Sequence, residues 1–221
     1  MELTFTRLFE IAHFQNEHFP QKESIGHRVG NDWVFYSTQE VIDLANNVSI
    51  GLLKLGLKPG EKISILSHNN RPEWKIVEMG ALQIGVIVVP VYPTISPADY
   101  EYIFNDAEVQ YAFVGPGDLA DKVKATAPKV PSFKGIFTFD KAEGLPHWED
   151  ILQGGDLSKV EEISKGISAE DLAILIYTSG TTGLPKGVML THTNIVSNIK
   201  AALPLLPMKP GDRALSFLPL C

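Results

Sequence analysis

The chain has 221 residues, of which 44% are hydrophobic and 20% are charged, and its formal net charge is −7. These values are ordinary for a globular protein with room for one large domain or two small ones. The acidic balance and the lack of a basic run argue against nucleic acid as a partner, because phosphate backbones are bound by clustered Lys and Arg. The single cysteine, Cys221, excludes an internal disulfide framework and suits a reducing compartment.

Two stretches of the chain bear on targeting and membrane insertion. The opening "MELTFTRLFE" is charged early and has no long apolar core, unlike a secretory signal peptide. The most apolar stretch, Ile84–Tyr92, contains Pro90 and is far shorter than the roughly 20 residues that a membrane span needs. We therefore expect a cytoplasmic protein without a transmembrane segment, and we leave peripheral membrane association open.

The first predicted elements are a helix, a hairpin and a second helix. Apolar residues recur at helical spacing over Phe5–Phe19, and Ser24–Gly30 and Asp32–Tyr36 are typical of a hairpin. Ser37 and Glu40 have the spacing of a capping box, which predicts the start of a long helix.

The next part of the chain alternates strands with helices. The predictions in chain order are a turn and strand over Lys58–Ser67, a helix over Pro72–Ile84, a strand over Val86–Tyr92, a helix opening at Ser96-Pro97, a strand over Gln110–Gly115, a helix over Asp118–Ala127 and a strand over Gly135–Asp140. This alternation predicts an α/β fold, with a mostly parallel sheet and helices on both faces. The polar segment Gly144–Gly166 interrupts the alternation, and its composition predicts a surface connection with short helical pieces.

A glycine- and threonine-rich loop follows a buried-looking strand. The apolar run Leu172–Ile176 leads into "YTSGTTGLPKG", and Gly187–Leu190 reads as a short return strand before a helix that starts near Thr191 or Thr193. The last stretch, Arg213–Cys221, reads as a strand that stops without a cap or turn. We therefore expect the chain to be a fragment that lacks its partner residues.

The composition of this loop suits a polyphosphate. Small residues let the backbone approach a ligand, successive N–H groups can cradle an anion, and hydroxyls and an ammonium add further donors. These devices are supplied by Ser179, Gly180, Thr181, Thr182, Gly183 and Lys186. On composition alone, a mobile hairpin loop without a ligand remains an alternative.

Two other phosphate motifs fit the sequence less well. A Walker loop fails because Pro185 precedes Lys186 and Gly187 follows it, where that motif has Gly and then Ser or Thr. Gly115–Ala120 matches the glycine pattern of a dinucleotide site, with Asp140 at the end of the next strand. Within that pattern, Pro116 has no N–H to offer and Asp118 would repel a pyrophosphate, so helix entry is the default interpretation.

The full string "YTSGTTGLPKGVMLTHTNI" resembles the phosphate-binding signature of the adenylate-forming, or AMP-binding, superfamily, which includes acyl-CoA synthetases, luciferases and peptide-synthetase adenylation domains. The stretches 56–74 and 85–114 look like early units of the same family, and the nearest likeness is to long-chain fatty acid–CoA ligases. The resemblance covers essentially the whole chain but only the amino-terminal part of the family's length. It implies the amino-terminal part of the large domain of an adenylate-forming enzyme.

The resemblance implies ATP-dependent activation of a fatty acid or another carboxylate to an acyl-adenylate, followed by transfer to coenzyme A, with Mg²⁺ as the metal. It implies that residues 178–186 face ATP, with Thr178 as a candidate Mg²⁺ ligand and Lys186 as the electrostatic catalytic group that binds phosphate. Residues 1–170 would form an α/β subdomain, residues 171–190 the strand–loop–strand phosphate-binding element, and residues 191–221 a helix and strand that lead to the missing part.

In relatives the adenine pocket, the acidic Mg²⁺ ligand and a catalytic lysine lie beyond position 221, so the remainder of its own chain is an expected partner. We expect the isolated chain to be inactive. Another acyl or aryl adenylating enzyme and a non-catalytic nucleotide-binding fragment remain alternatives, and a dinucleotide oxidoreductase comes last.

Overall fold

A computed structural model describes residues 2–178, 183–207, 209, 211–218 and 220 of the chain. The helices are α1 (Glu10–His18), α2 (Thr38–Lys54), α3 (Pro72–Leu82), α4 (Pro97–Asp106), α5 (Leu119–Thr126), α6 (Ser158–Gly166) and α7 (His192–Ala202). The strands are β1 (Ile25–Val29), β2 (Asp32–Tyr36), β3 (Lys62–Leu66), β4 (Ile87–Pro90), β5 (Val109–Val114), β6 (Gly135–Thr138), β7 (Leu172–Thr178) and β8 (Lys186–Thr191). None of the helices in the described ranges is both long enough and apolar enough to cross a membrane.

The main sheet has six strands in the order β6-β5-β3-β4-β7-β8. Its first five strands run parallel to their neighbours, and only β8 runs antiparallel, against β7. The strands β1 and β2 form a separate antiparallel hairpin, as predicted. The α/β class and the mostly parallel sheet are therefore confirmed.

Hydrophobic cores lie on both faces of the sheet. Alternate residues of β5 point to opposite sides, so Phe113 joins one core and Ala112 and Val114 join the other. The helices α2 and α3 supply the first core and α4 and α5 the second. Parallel strands covered on both faces are apolar throughout, which explains the continuous apolar runs in the sequence.

Side-chain caps define where several helices begin. Ser37 and Glu40 form the predicted capping box at the start of α2, and Ser96 begins α4 in the same way. Of the two candidate caps for α7, the structure selects Thr191, whose side chain accepts a hydrogen bond from the N–H of Asn194. Each box satisfies backbone donors that the helix leaves unpaired.

The helix predicted over Phe5–Phe19 is shorter than expected, since α1 begins only at Glu10. The Glu10 carboxylate accepts hydrogen bonds from the backbone N–H groups of Thr6 and Arg7. The Arg7 side chain in turn donates to the carbonyl of Ser164. Local bonds to Glu10 and a tertiary bond to Ser164 therefore hold the residues just before α1, and helical periodicity reveals neither.

The interpretation of Gly144–Gly166 as a surface connection is only partly right. The segment has short helical pieces as expected, but Trp148, Ile151 and Val160 are buried in the first core. This close packing needs a small residue on α2, because a Cβ at Gly51 would lie 1.9 Å from the carbonyl oxygen of Ile151.

The strand predicted over Arg213–Cys221 is wrong for the residues that the structure describes there, which exclude positions 219 and 221. None of them belongs to a strand, and Leu215 and Phe217 are each 76% exposed. Asn70 donates hydrogen bonds to Ser216 and to the carbonyl of Leu218. The apolar pattern favours a strand, but a strand needs a partner for its backbone groups, and these residues pair with none of the described strands.

Gly80 offers a test of the packing between α2 and α3. A Cβ at Gly80 would lie 2.6 Å from the Cγ1 atom of Val48 and 2.7 Å from the carbonyl oxygen of Ala45. We expect Gly80→Ala to lower the free energy of unfolding by roughly 1–3 kcal/mol, although alanine favours helix, because the helices must move apart. Urea unfolding followed by tryptophan fluorescence measures this change.

Gly166→Ala is the matched control for Gly80→Ala. It adds the same methyl group in α6, where no heavy atom of the described residues lies within 4 Å of the new Cβ. We expect no loss of stability there, and a Gly80→Ala protein as stable as the control would contradict the close packing of α2 on α3.

Candidate functional site

The two ends of the glycine- and threonine-rich loop lie at the carboxyl edge of the parallel sheet. Thr178 is the last residue of β7, which runs parallel to β4, and residues 179–185 connect it to β8. Open α/β sheets bind their ligands outside the carboxyl ends of their strands. The loop therefore lies at the edge of the sheet where a ligand is expected.

Two of the predicted site residues face each other across the base of the loop. Thr178 on β7 pairs with Lys186 on β8 in the antiparallel register, which brings their Cβ atoms within about 4.5–5.5 Å. Both residues are exposed, and Lys186 forms no ion pair with any residue that the structure describes. The arrangement offers a hydroxyl and an uncompensated ammonium side by side, which suits an anionic ligand.

The carboxyl half of the loop needs a glycine. Gly183 has a φ of +108°, a conformation that L side chains rarely adopt, and no heavy atom of the described residues lies within 4 Å of a Cβ built there. Leu184 next to it is 62% exposed. Four predicted phosphate-binding residues lie outside the described residues, and their role stays a prediction: Ser179, Gly180, Thr181 and Thr182.

Sequence reasoning missed a contact beneath the loop. The Tyr177 ring is 8% exposed, and its hydroxyl donates to the Oδ2 atom of Asp106 at 2.5 Å. Burial and this hydrogen bond raise the pKa of Tyr177, so the phenol remains protonated and able to donate. Asp106 ends α4, far from the loop in sequence, and no local motif pointed to it.

The dinucleotide pattern has a structural explanation. A Cβ at Gly115 would lie 2.7 Å from the Ser67 hydroxyl, so this glycine lets the segments after β3 and β5 pass closely. Asp118 pairs with Lys122 at 2.8 Å and with His68 at 2.9 Å. These two hydrogen bonds lower the pKa of Asp118 to about 2, so a fixed negative charge stands where a pyrophosphate would bind.

Asp140, the acidic residue at the end of the next strand in that pattern, also forms an ion pair. Arg71 donates to Asp140 at 2.6 Å and to Glu73 at 3.0 Å, and its guanidinium lies 5.0 Å from the centre of the Phe139 ring. Asp140 is therefore part of an ion-pair network that closes the end of β6. These contacts favour the structural interpretation over a ribose-binding role.

The described residues contain no group of three or more His, Cys, Asp or Glu side chains that could hold a metal ion. Protein sites for Mg²⁺ commonly supply one or two oxygen ligands and leave the rest to water and substrate phosphates. The Thr178 hydroxyl is a hard oxygen donor beside the loop, so it fits a supporting ligand of that kind.

Two grooves lie away from the loop. One of about 460 Å³ lies at the amino edge of the sheet, with Gly60, Val86 and Leu172 in its walls, and one of about 320 Å³ lies between α1, α3, β7 and α7. Neither is lined by Thr178 or Lys186. These two grooves are therefore separate from the base of the loop that Thr178 and Lys186 form.

His192, the first residue of α7, is 1% exposed and has a structural role. Its Nδ1 atom accepts a hydrogen bond from the backbone N–H of Leu8 at 3.2 Å, and its ring meets the edge of Phe9. Burial, with the nearby charge of Arg7, lowers the pKa of His192 to about 4, against weaker opposing effects of Asp171 and Glu10. The neutral imidazole thus fastens the amino-terminal segment to the start of α7.

This burial predicts a pH dependence of stability. The unfolded chain binds a proton at His192 near pH 6.5 and the folded chain only near pH 4, so the unfolded state holds more protons between these values. Stability should therefore fall as pH drops from about 6.5 towards 4. We expect His192→Asn, whose amide oxygen can accept from Leu8, to flatten this part of the curve.

Urea unfolding across pH 4–7 measures the effect. His27→Asn, in the β1–β2 hairpin, is the control and should keep the wild-type slope. If His192→Asn retained that slope as well, the pH dependence would arise elsewhere in the protein.

Comparison with known proteins identifies the family. Residues 13–221 match the family described as AMP-binding enzyme. This match covers nearly the whole chain, and it includes the loop and both strands that carry it. The chain belongs to the AMP-binding enzyme family.

Two curated long-chain fatty acid–CoA ligases are similar to most of this chain. The chain is 31% identical over 193 residues to long-chain-fatty-acid–CoA ligase FadD15 of Mycobacterium bovis, covering 85% of this chain and 32% of the relative. It is 33% identical over 215 residues to long-chain-fatty-acid–CoA ligase 1 of Homo sapiens, covering 86% of this chain and 29% of the relative. The chain thus spans about a third of the length of these curated relatives.

A solved structure has a similar fold over most of this chain. The ATP-bound structure of MatB from Rhodopseudomonas palustris superposes with a TM-score of 0.70 at 24% identity. The match covers 90% of this chain and 37% of that chain. At this identity the likeness establishes the fold alone.

Proposed function

We propose that this chain is the amino-terminal part of an ATP-dependent long-chain fatty acid–CoA ligase. Such an enzyme joins a fatty acid to ATP, giving an acyl-adenylate and pyrophosphate, and then transfers the acyl group to the thiol of coenzyme A with release of AMP. The pairing of Thr178 with Lys186 at the carboxyl edge of the sheet carries the proposal. Family membership and the names of the two curated relatives support it.

The loop would stabilise the charge that develops during adenylation. When the fatty acid carboxylate attacks the α-phosphate, negative charge grows on the departing pyrophosphate. The ammonium of Lys186, the hydroxyls of the loop and its backbone N–H groups would already point at that charge, and such preorganised donors supply much of the catalysis in phosphoryl chemistry. Mg²⁺, when bound with the nucleotide, would supply further positive charge, and the Thr178 hydroxyl is the residue we assign to its support.

The segments on either side of the loop would have separate roles. Residues 1–170 would act as the α/β subdomain, 171–190 as the phosphate-binding element and 191–221 as the connection to further chain. We assign the adenine and acyl pockets to the remainder of the chain, since neither of the two grooves described above is lined by Thr178 or Lys186. We place the enzyme in the cytoplasm, with membrane association at most peripheral and no nucleic acid partner.

Lys186→Ala in the full-length protein tests the assigned phosphate contact. We expect ATP–pyrophosphate exchange with palmitate to fall by roughly 10–1000-fold, the range for loss of one oxyanion-type donor. Lys165→Ala, which removes an exposed ammonium at the end of α6, is the control and should leave exchange unchanged. Exchange at the wild-type rate in Lys186→Ala would refute the role of this side chain.

The reaction products separate the alternatives. Incubation of the full-length protein with ATP, Mg²⁺, coenzyme A and either palmitate or benzoate should yield palmitoyl-CoA and AMP, detected by mass spectrometry. A preference for benzoate would favour an aryl adenylating enzyme. Nucleotide binding without pyrophosphate release from any acid would favour a non-catalytic nucleotide-binding protein.

We also expect the purified 221-residue chain to form no acyl-CoA in the same assay. In our proposal the loop would hold the phosphates, whereas the sites for the acid and the adenine would be supplied by the remainder of the chain. Acyl-CoA formation by this chain alone would show that the catalytic machinery is already complete within it.

A further inference from the structure

Tyr177 connects the base of the loop to a different element. It immediately precedes Thr178 in β7, and its ring lies in the second core, where it makes a T-shaped contact with the ring of Tyr102, with 6.5 Å between the ring centres and 88° between the planes. Its hydroxyl donates to Asp106 at 2.5 Å. Asp106 and Tyr102 stand one helical turn apart on α4, so one face of α4 holds both the ring and the hydroxyl of Tyr177.

Gly187 makes room for this ring on the opposite strand. Tyr177 and Gly187 are directly paired in the β7–β8 register. A Cβ at position 187 would lie 3.2 Å from the Cζ atom of Tyr177, 3.4 Å from its hydroxyl and 3.0 Å from the Cδ1 atom of Leu175. The glycine therefore allows the tyrosine ring to lie across the backbone of β8 and to reach Asp106.

This pair is the last one beneath the loop. The next pair outward is Thr178 with Lys186, whose side chains are exposed. β8 is an edge strand, so its pairing with β7 is what sets the direction of Lys186. An edge strand that is held only by backbone hydrogen bonds to one neighbour opens easily. The hydrogen bond from Tyr177 to Asp106 connects β7 at this point to α4.

We propose that Tyr177, Asp106 and Gly187 act together as positioning residues that hold Thr178 and Lys186 at a fixed separation for the triphosphate. The inference rests on the proposed function, since these residues would position the two side chains that the same loop uses to bind the triphosphate. A shift of about 1 Å at a site of charge stabilisation can lower a rate by roughly two orders of magnitude, so a rigid base has a direct catalytic value.

Kinetics of the full-length protein distinguish positioning from a merely structural role. Tyr177→Phe keeps the ring and removes the donor, and Asp106→Leu removes the acceptor at similar size. We expect each to lower kcat/KM for ATP by about tenfold or more, as for loss of a hydrogen bond to a charged group. Asp106→Asn keeps an acceptor and should recover most of the loss.

The effects of Tyr177→Phe and Asp106→Leu on kcat/KM for ATP should not add. Because both break one bond, the double variant should lose no more kcat/KM than either single variant. Tyr102→Phe removes a hydroxyl from the adjacent ring while keeping the ring contact, and it should behave as wild type. A lowered melting temperature in Tyr177→Phe with unchanged kcat/KM for ATP, or losses that multiply in the double variant, would overturn the proposal.

A measurement without nucleotide separates this inference from the proposed function. Amide hydrogen exchange over residues 183–188 should be faster in Tyr177→Phe and in Gly187→Ala than in wild type, and unchanged in Tyr102→Phe. If the wild-type protein showed no ATP-dependent activity, the proposed function would fail while the exchange data still tested the anchor. Equal exchange in all four proteins would refute the anchor itself.

Discussion

The antiparallel pairing of β8 with β7 is the interaction on which the candidate site depends. A parallel sheet gathers its loops at one edge, but a loop that leaves such an edge usually runs into a helix on one face. Here the chain turns back and adds one strand, so both ends of the loop belong to the same ladder. Thr178 and Lys186 become direct neighbours for this reason. Their distance is set by backbone hydrogen bonds rather than by flexible side chains.

That ladder is useful only because the sheet beneath it is rigid. The parallel strands are buried on both faces, and close-packed interiors of this kind transmit small displacements rather than absorbing them. Glycines in α2 and α3 bring those helices close to their neighbours, and Gly187 does the same for the Tyr177 ring. The family's motif therefore combines residues with two tasks, since some would face the ligand and others shape the base that carries them.

Local rules predicted much of the fold because they act over short distances. Hydrophobic alternation located the strands, and the capping box at Ser37 located the start of α2. They failed where distant residues decide the outcome. Arg7, in the non-helical segment before α1, bonds to the distant Ser164, and Trp148 is buried in a segment expected to be a surface connection. The apolar stretch after Arg213 shows that a strand pattern forms no strand without a neighbouring strand to bond it.

The chemistry that the loop can offer follows from its residues alone. Its glycines, hydroxyls and lysine form a motif specific enough to indicate the AMP-binding family, and the match over residues 13–221 shows that the chain belongs to it. Folding in three dimensions determined which residues meet. It paired Thr178 with Lys186, placed Asp106 under Tyr177, and buried His192 against Leu8. Composition and spacing set what each residue can bond to, whereas long-range pairing and packing select its partner.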